Sequence, residues 1–95
     1  MATLRFTPAA LADLERLASF LRESDPLAAV ETLHIILDGL KLLAAHPLIG
    51  RPVDAQRREL LVFRGRSGYA ALYSFLPLAD EVVILAVRHQ REVEE

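Results

Sequence analysis

The apolar positions of this chain change period once, near residue 50, from helical to strand-like spacing. Before that point, residues 2–6 (ATLRF) alternate weakly, enough for a short first strand. Thr7-Pro8 reads as a helix start: a hydroxyl cap, then proline at the first helical position, where a missing N–H costs nothing. Leu11, Leu14, Leu17, Ala18 and Leu21 recur at helical spacing, with Asp13, Glu15, Arg16, Ser19 and Arg22 on other faces, which predicts a helix to about Arg22. Ser24-Asp25-Pro26 repeats the start signal, with Asp25 as the cap. The second helix turns Val30, Leu33, Leu37, Leu40 and Ala44 inward, widened by Ile36 and Leu43, and Gly39 admits another backbone closely. His46-Pro47 ends it, because proline disfavours the helical state of the residue before it. So short a link between helices makes them an antiparallel hairpin.

After the loop Pro47 to Pro52, strands are predicted from Glu59 to Arg64, from Tyr69 to Leu76 and from Glu81 to Arg88. Gly65-Arg66-Ser67-Gly68 and Pro77-Leu78-Ala79-Asp80 are the turns between them, giving an antiparallel meander. On the last strand, strict alternation sends Val82, Ile84 and Ala86 to one face and Val83, Leu85 and Val87 to the other. A strand apolar on both faces is central and covered twice. The helical hairpin covers one face, leaving the other to a partner or to sheet curvature. The predicted fold is α+β with the order β-α-α-β-β-β: an N-terminal strand, and a helical hairpin packed on one face of an antiparallel sheet. One domain spans residues 1–95.

Composition narrows the function. Cysteine is absent, so no disulfide or thiolate metal site supports the fold, and the chain suits a reducing cytosol. The first residues carry no basic stretch followed by an apolar run, and Glu31, His34 and Asp38 interrupt the longest apolar candidate; a soluble cytoplasmic protein is expected. A hydrophobic fraction of 53% in so small a chain hints at apolar surface covered by another chain. The net charge of −2 argues against a nonspecific nucleic-acid binder. Acids concentrate in the first half, whereas the second half carries Arg51, Arg57, Arg58, Arg64, Arg66, Arg88 and Arg91 ahead of the tail acids Glu92, Glu94 and Glu95. Arginine suits planar recognition of carboxylate or phosphate, although a basic rim also serves solubility alone.

Four pieces of sequence then stand in register: His46-Pro47-Leu48-Ile49-Gly50-Arg51-Pro52, Arg58-Glu59-Leu60, Gly68-Tyr69-Ala70-Ala71-Leu72-Tyr73, and Val83 to Arg91. Together with the β-α-α start, they make the chain similar to the ParE/RelE superfamily of type II toxin–antitoxin toxins over nearly its whole length. Each piece has a plain structural reading too. Gly50 would supply a positive φ in a turn. Tyr69 and Tyr73 share a face with Phe75, where Tyr73 fits the core at least as well as a contact surface. Arg58-Glu59 would be a strand-edge ion pair worth under ~1 kcal/mol.

The resemblance implies two alternative chemistries. RelE-like relatives cut messenger RNA on the ribosome, which takes a base, an acid and cations around the scissile phosphate. The place of a catalytic arginine in those relatives falls at about Ala70 here, and that of a terminal His-Tyr at about Gln90-Arg91. His89 is displaced by one residue and so turns to the other face of its strand. His34 and His46 lack partners and read as structural. No catalytic residue, cofactor or metal ligand is therefore assigned. In ParE-like relatives the last strand ends in His-x-Arg, matched by His89-Gln90-Arg91. That branch implies a noncatalytic inhibitor of DNA gyrase, with a plasmid-stabilising role. A nontoxic toxin remnant kept for complex formation is the third alternative.

Both toxin branches imply a cognate antitoxin: an acidic amphipathic segment laid on the uncovered sheet face, with carboxylates on the arginines. They also admit a homodimer or a toxin–antitoxin hetero-oligomer. The expected contact set is Arg51, Arg58, Arg64, Arg66, Tyr69, Tyr73, Arg88, His89 and Arg91.

Overall fold

Both long helices begin where a capping oxygen precedes a proline. In the computed structural model, which describes residues 1–93, strand β1 (Thr3–Phe6) leads into α1 (Pro8–Ser24) and α2 (Pro26–Ala45). Thr7 Oγ1 accepts the N–H of Ala10 at 3.1 Å, and Asp25 Oδ1 accepts that of Ala28 at 3.2 Å. Asp25 also closes α1, donating its own N–H to Leu21 O at 2.8 Å, so one residue stops one helix and starts the next. Strands β2 (Arg51–Pro52), β3 (Arg58–Arg64), β4 (Ser67–Leu76) and β5 (Glu81–His89) follow, and a single turn, α3 (Gln90–Val93), closes the described chain. The tail acids Glu94 and Glu95 lie outside the described residues.

The sheet has the order β1-β5-β4-β3-β2. It is mixed rather than wholly antiparallel, because β1 lies parallel to β5 with Thr3 opposite Glu81 and Phe6 opposite Ile84. Strand β2 arises inside the expected loop, being too short for any alternation to show. The β3–β4 connection is tighter than expected: only Gly65 and Arg66 separate the strands, with Gly65 at φ +58°. Glycine with positive φ at the first central position suits a two-residue hairpin turn.

The packing differs from simple periodicity in two places. On α2 the buried stripe is Ala28, Ala29, Thr32, Ile36, Leu40 and Leu43, whereas Val30, expected inside, is 54% exposed and Leu37 also faces out. Leu11 on α1 is likewise exposed. Glu31, His34, Asp38 and Lys41 recur at helical spacing and mark the outer face of α2; the buried stripe lies opposite them, and Val30 and Leu37 flank the polar stripe. A Cβ on Gly39 would stand 2.8 Å from Val62 Cγ2, so this glycine lets α2 settle on β3.

The second departure is on β5. Leu72 pairs with Ala86 but Tyr73 pairs with Ile84, leaving Leu85 as an extra residue in a bulge. The bulge resets the alternation, and Val82, Ile84 and Val87 are all fully buried in one core cluster. Val87 therefore joins the face that strict alternation denies it. His89 follows, opposite Tyr69 on the helical side, while Arg88 is paired with Ala70 on the far side.

β1 ends before β5 does, and side chains take over its pairing. Thr7 N–H donates to Ile84 O at 3.1 Å, Thr7 Oγ1 to Leu85 O at 3.3 Å, and the N–H of Val87 to Asp13 Oδ2 at 2.9 Å. Asp13, placed by periodicity on a polar face of α1, is in fact 9% exposed. Arg88 Nε lies 3.8 Å from Oδ2 and Arg16 Nη2 3.6 Å from Oδ1, so the carboxylate has positive charge on both sides.

At the other end of the sheet, the loop from His46 to Pro52 is pinned by two side chains. Fully buried Tyr73 donates its hydroxyl to Pro47 O at 2.8 Å and accepts the N–H of Gly50 at 2.9 Å. Arg58 Nη1 donates to Leu48 O at 3.0 Å and Gly50 O at 2.8 Å. Burial pushes the Tyr73 hydroxyl above its ordinary pKa, opposed by the Gly50 N–H and the Arg58 charge. Gly50 serves close approach and not the expected positive φ: among the described glycines only Gly65 has one, and a Cβ on Gly50 would stand 2.6 Å from the Tyr73 ring.

Two substitutions test these contacts. Asp13→Ala leaves the Val87 N–H unpaired and should lower stability by about 1–3 kcal/mol in urea unfolding, whereas Asp13→Asn, which keeps an acceptor, should retain most of it. Tyr73→Phe removes both loop hydrogen bonds with little change of shape. Amide exchange at Gly50 should then accelerate by about 10-fold or more, while amides of α1 keep their protection.

Candidate functional site

The expected contact residues separate into groups with different surroundings. Tyr73 and Arg58 are spent on the loop just described, and Tyr73 has no surface to offer a partner. Arg51 Nη2 meets Glu59 Oε1 at 2.7 Å, so Glu59 pairs across to β2 instead of with its neighbour Arg58. Arg64 Nη2 reaches Glu31 Oε2 on α2 at 3.0 Å. Arg66 projects from the turn without an ion pair among the described residues. Arg88 reaches Asp13 from the far side of the sheet.

The far side of the sheet is more apolar than basic. Leu61 and Phe63 of β3 are exposed there, beside Ala70 and Leu72 of β4 and Val83 and Ala86 of β5. Gln90, the first residue of α3, folds against Gly68 on the same side and occupies the space that a Cβ on Gly68 would need.

Tyr69, His89 and Arg91 are brought together. They line a cleft of about 490 Å³ between α1 and the ends of β4 and β5, completed by Arg16, Leu17, Phe20, Leu21 and Ser67. The Tyr69 and His89 rings meet edge to face, 5.1 Å apart at 87°. His89 Nδ1 accepts the N–H of Arg91 at 3.1 Å, which makes Nε2 the protonated nitrogen of the neutral ring. Sequence reasoning missed Arg16, Phe20 and Ser67. Phe20 carried a usable signal, as an aromatic standing off the apolar stripe of α1; it is 71% exposed.

A second cleft, of about 590 Å³, lies between the loop at 54–57 and the end of β4. Asp54 organises that loop, accepting the N–H groups of Gln56 and Arg57 at 2.9 and 2.8 Å and the Arg57 Nε at 2.7 Å. The Gln56 N–H, then the Arg57 side chain, hold its carboxyl below the usual carboxylate range. These bonds leave the carboxylate facing its own loop. No cluster of three metal-ligating side chains occurs among the described residues, and no helix there is long and apolar enough to cross a membrane.

This geometry has counterparts among known proteins. Toxin RelE3 of Caulobacter vibrioides is 36% identical over 92 residues, covering 97% of this chain and 98% of its own. The chromosomal ParDE system of P. aeruginosa contains a chain of the same fold, with a TM-score of 0.77, 24% identity, and coverage of 94% of this chain and 96% of that one. A chain of the intact E. coli RelBE toxin–antitoxin complex superposes with a TM-score of 0.63 at 19% identity, covering 92% and 94%. Residues 4–94 match the family model described as the ParE toxin of the type II toxin–antitoxin system parDE. Family match and relative agree, and the chain belongs to the ParE/RelE family of type II toxins.

Proposed function

We propose that this toxin is neutralised by a cognate antitoxin and acts by binding DNA gyrase, not by cutting RNA, in a plasmid-stabilising role. Structural relatives described as ParDE and RelBE toxin–antitoxin systems support the antitoxin partner. The gyrase target is supported by the ParE family match and the His89-Gln90-Arg91 ending.

The state of His89 is the observation that favours a noncatalytic toxin. Its Nδ1 lone pair is taken by the Arg91 N–H, so the neutral ring has no lone pair left to remove a proton from a 2′-hydroxyl. Arg88, paired with Ala70, reaches Asp13 Oδ2 at 3.8 Å and is not among the residues that line the cleft with His89. The far face, with exposed Leu61 and Phe63 and the Arg66 turn at its end, suits contact with a large partner.

A second alternative has support of its own. The relative at 36% identity carries the RelE name, and His89, Tyr69, Arg16 and Arg91 share one cleft. A ribosome-dependent nuclease would use that cleft. A nontoxic remnant would use neither surface on a target.

Induction of the gene should arrest growth, and co-expression of the neighbouring reading frame should relieve it; no arrest identifies the nontoxic remnant. Purified toxin should make gyrase accumulate cleaved DNA and lose supercoiling activity. Unchanged supercoiling and cleavage at high toxin excess reject the gyrase target. Codon-dependent cuts in ribosome-bound message, read by primer extension after induction, would establish the nuclease instead.

A further inference from the structure

The two edges of the sheet are finished differently. On the β1 side, Thr7 and Asp13 take over the backbone of β5 where β1 ends. On the other side, β2 pairs only with Arg58 and Glu59, the first two of the seven residues of β3. The two-residue turn makes Arg64 and Ser67 the closing pair of the β3–β4 hairpin, so Arg64, Val62 and Leu60 turn their backbone groups toward β4. Val53 N–H, donating to Arg57 O at 2.9 Å, fixes the same alternation from the other end: Arg57 and Glu59 face outward, toward β2. Leu61 and Phe63 continue that outward row. Their N–H and C=O groups have no strand or side-chain partner among the described residues.

An open edge is a template for another strand, and proteins guard theirs with proline, charge or a covering segment. Pro52 guards β2 in this way. The open half of β3 has no such guard: Leu61 and Phe63 are 42% and 57% exposed, and the charge of Arg64 is turned aside to Glu31. Its limits are set by its neighbours. Gly50, the residue before β2, comes next to the Glu59 carbonyl and shuts the edge beside Leu60. Gly65 begins the turn at the other end. The open stretch therefore runs from Leu61 to Gly65, with Phe63 at its centre. A second copy of the strand, laid antiparallel, clears β2 when Phe63 stands opposite Phe63 on a twofold axis. Phe63 faces outward in both copies, so that pair exchanges two N–H···O=C bonds, and the two rings meet on the far face. Charge favours a second copy over an unrelated strand. Glu59 lies beyond one end of the stretch and Arg66, without an ion pair among the described residues, beyond the other. Reversal brings each Arg66 beside Glu59 of the other copy.

We propose that two copies of this chain pair through the open half of β3, antiparallel about Phe63, joining their sheets into one and their far faces into a single surface. The pairing stands independently of the target proposed above, since it uses only the edge of β3 and the charges at its two ends.

The test is sedimentation equilibrium of the purified full chain over a concentration series. So small an interface should give a dimer with a Kd in the roughly micromolar range. Phe63 is exposed, so Phe63→Lys removes no core packing, which circular dichroism checks. It sets two like charges face to face and should raise the dimer Kd by about 10-fold or more. Arg66→Glu should raise it by about 3-fold. The chain has no cysteine, so Phe63→Cys can form a disulfide only with a second copy. A hydrogen-bonded antiparallel pair places its Cα atoms within disulfide reach. Under mild oxidation Phe63→Cys should therefore cross-link about 10-fold faster than Leu78→Cys, which sits fully exposed in the β4–β5 turn. A chain that stays monomeric up to roughly 500 µM overturns the proposal. So does a dimer that Phe63→Lys leaves intact, or equal cross-linking at the two cysteines. A monomer whose Leu61 and Phe63 amides gain exchange protection only with the product of the neighbouring reading frame would give the edge to that partner and likewise overturn the second copy.

Discussion

The hydrogen bond from the Val87 N–H to Asp13 carries more of this structure than its single 2.9 Å contact suggests. β1 is four residues long and leaves the far part of β5 without a strand on that edge. An edge N–H buried against α1 needs an acceptor, and α1 supplies one from its second turn. That bond fixes the side of β5 on which α1 lies. One helical turn further along α1, Leu17 and then Phe20 and Leu21 face the end of the same strand, where the cleft opens. The β5 bulge completes the arrangement by turning Val87 and His89 toward the helices.

The arginines divide by burial of their partners. Arg58 donates to loop carbonyls, where no carboxylate competes, and it acts as a structural tie. Arg51 with Glu59 and Arg64 with Glu31 are surface pairs with one or both partners well exposed. Such pairs contribute little to stability, typically under ~1 kcal/mol, and can trade an internal carboxylate for a partner's at small cost. Arg66 and Arg91 have no internal carboxylate among the described residues to trade. Charge available for a partner is thus concentrated at the β3–β4 turn and the end of β5, which lie at one end of the sheet.

Several family motifs prove to be structural. The segment from His46 to Pro52 is held by Tyr73 and Arg58, themselves members of two other motif pieces. Three of the four pieces that resemble the family meet in one contact of this structure. Family membership was legible because the residues that fix the fold carry the motifs. Ala70 supplies no catalytic group on either face, whereas the neighbours of His89 depend on which side of the sheet it occupies. That side depends on a bulge which local alternation does not announce.

Helix starts at Pro8 and Pro26, the short link at Asp25 and the meander of the last three long strands were determined by the sequence itself, because caps, prolines and alternation act over a few residues. Tertiary structure alone decided the burial of Asp13, the parallel pairing of β1 and the gathering of Tyr69, His89 and Arg91 beside Phe20. Each of these depends on which distant segment lies alongside. The Gly39–Val62 contact settles only how closely α2 approaches β3, and a carboxylate in α1 stays a surface group until β5 presents an unpaired N–H.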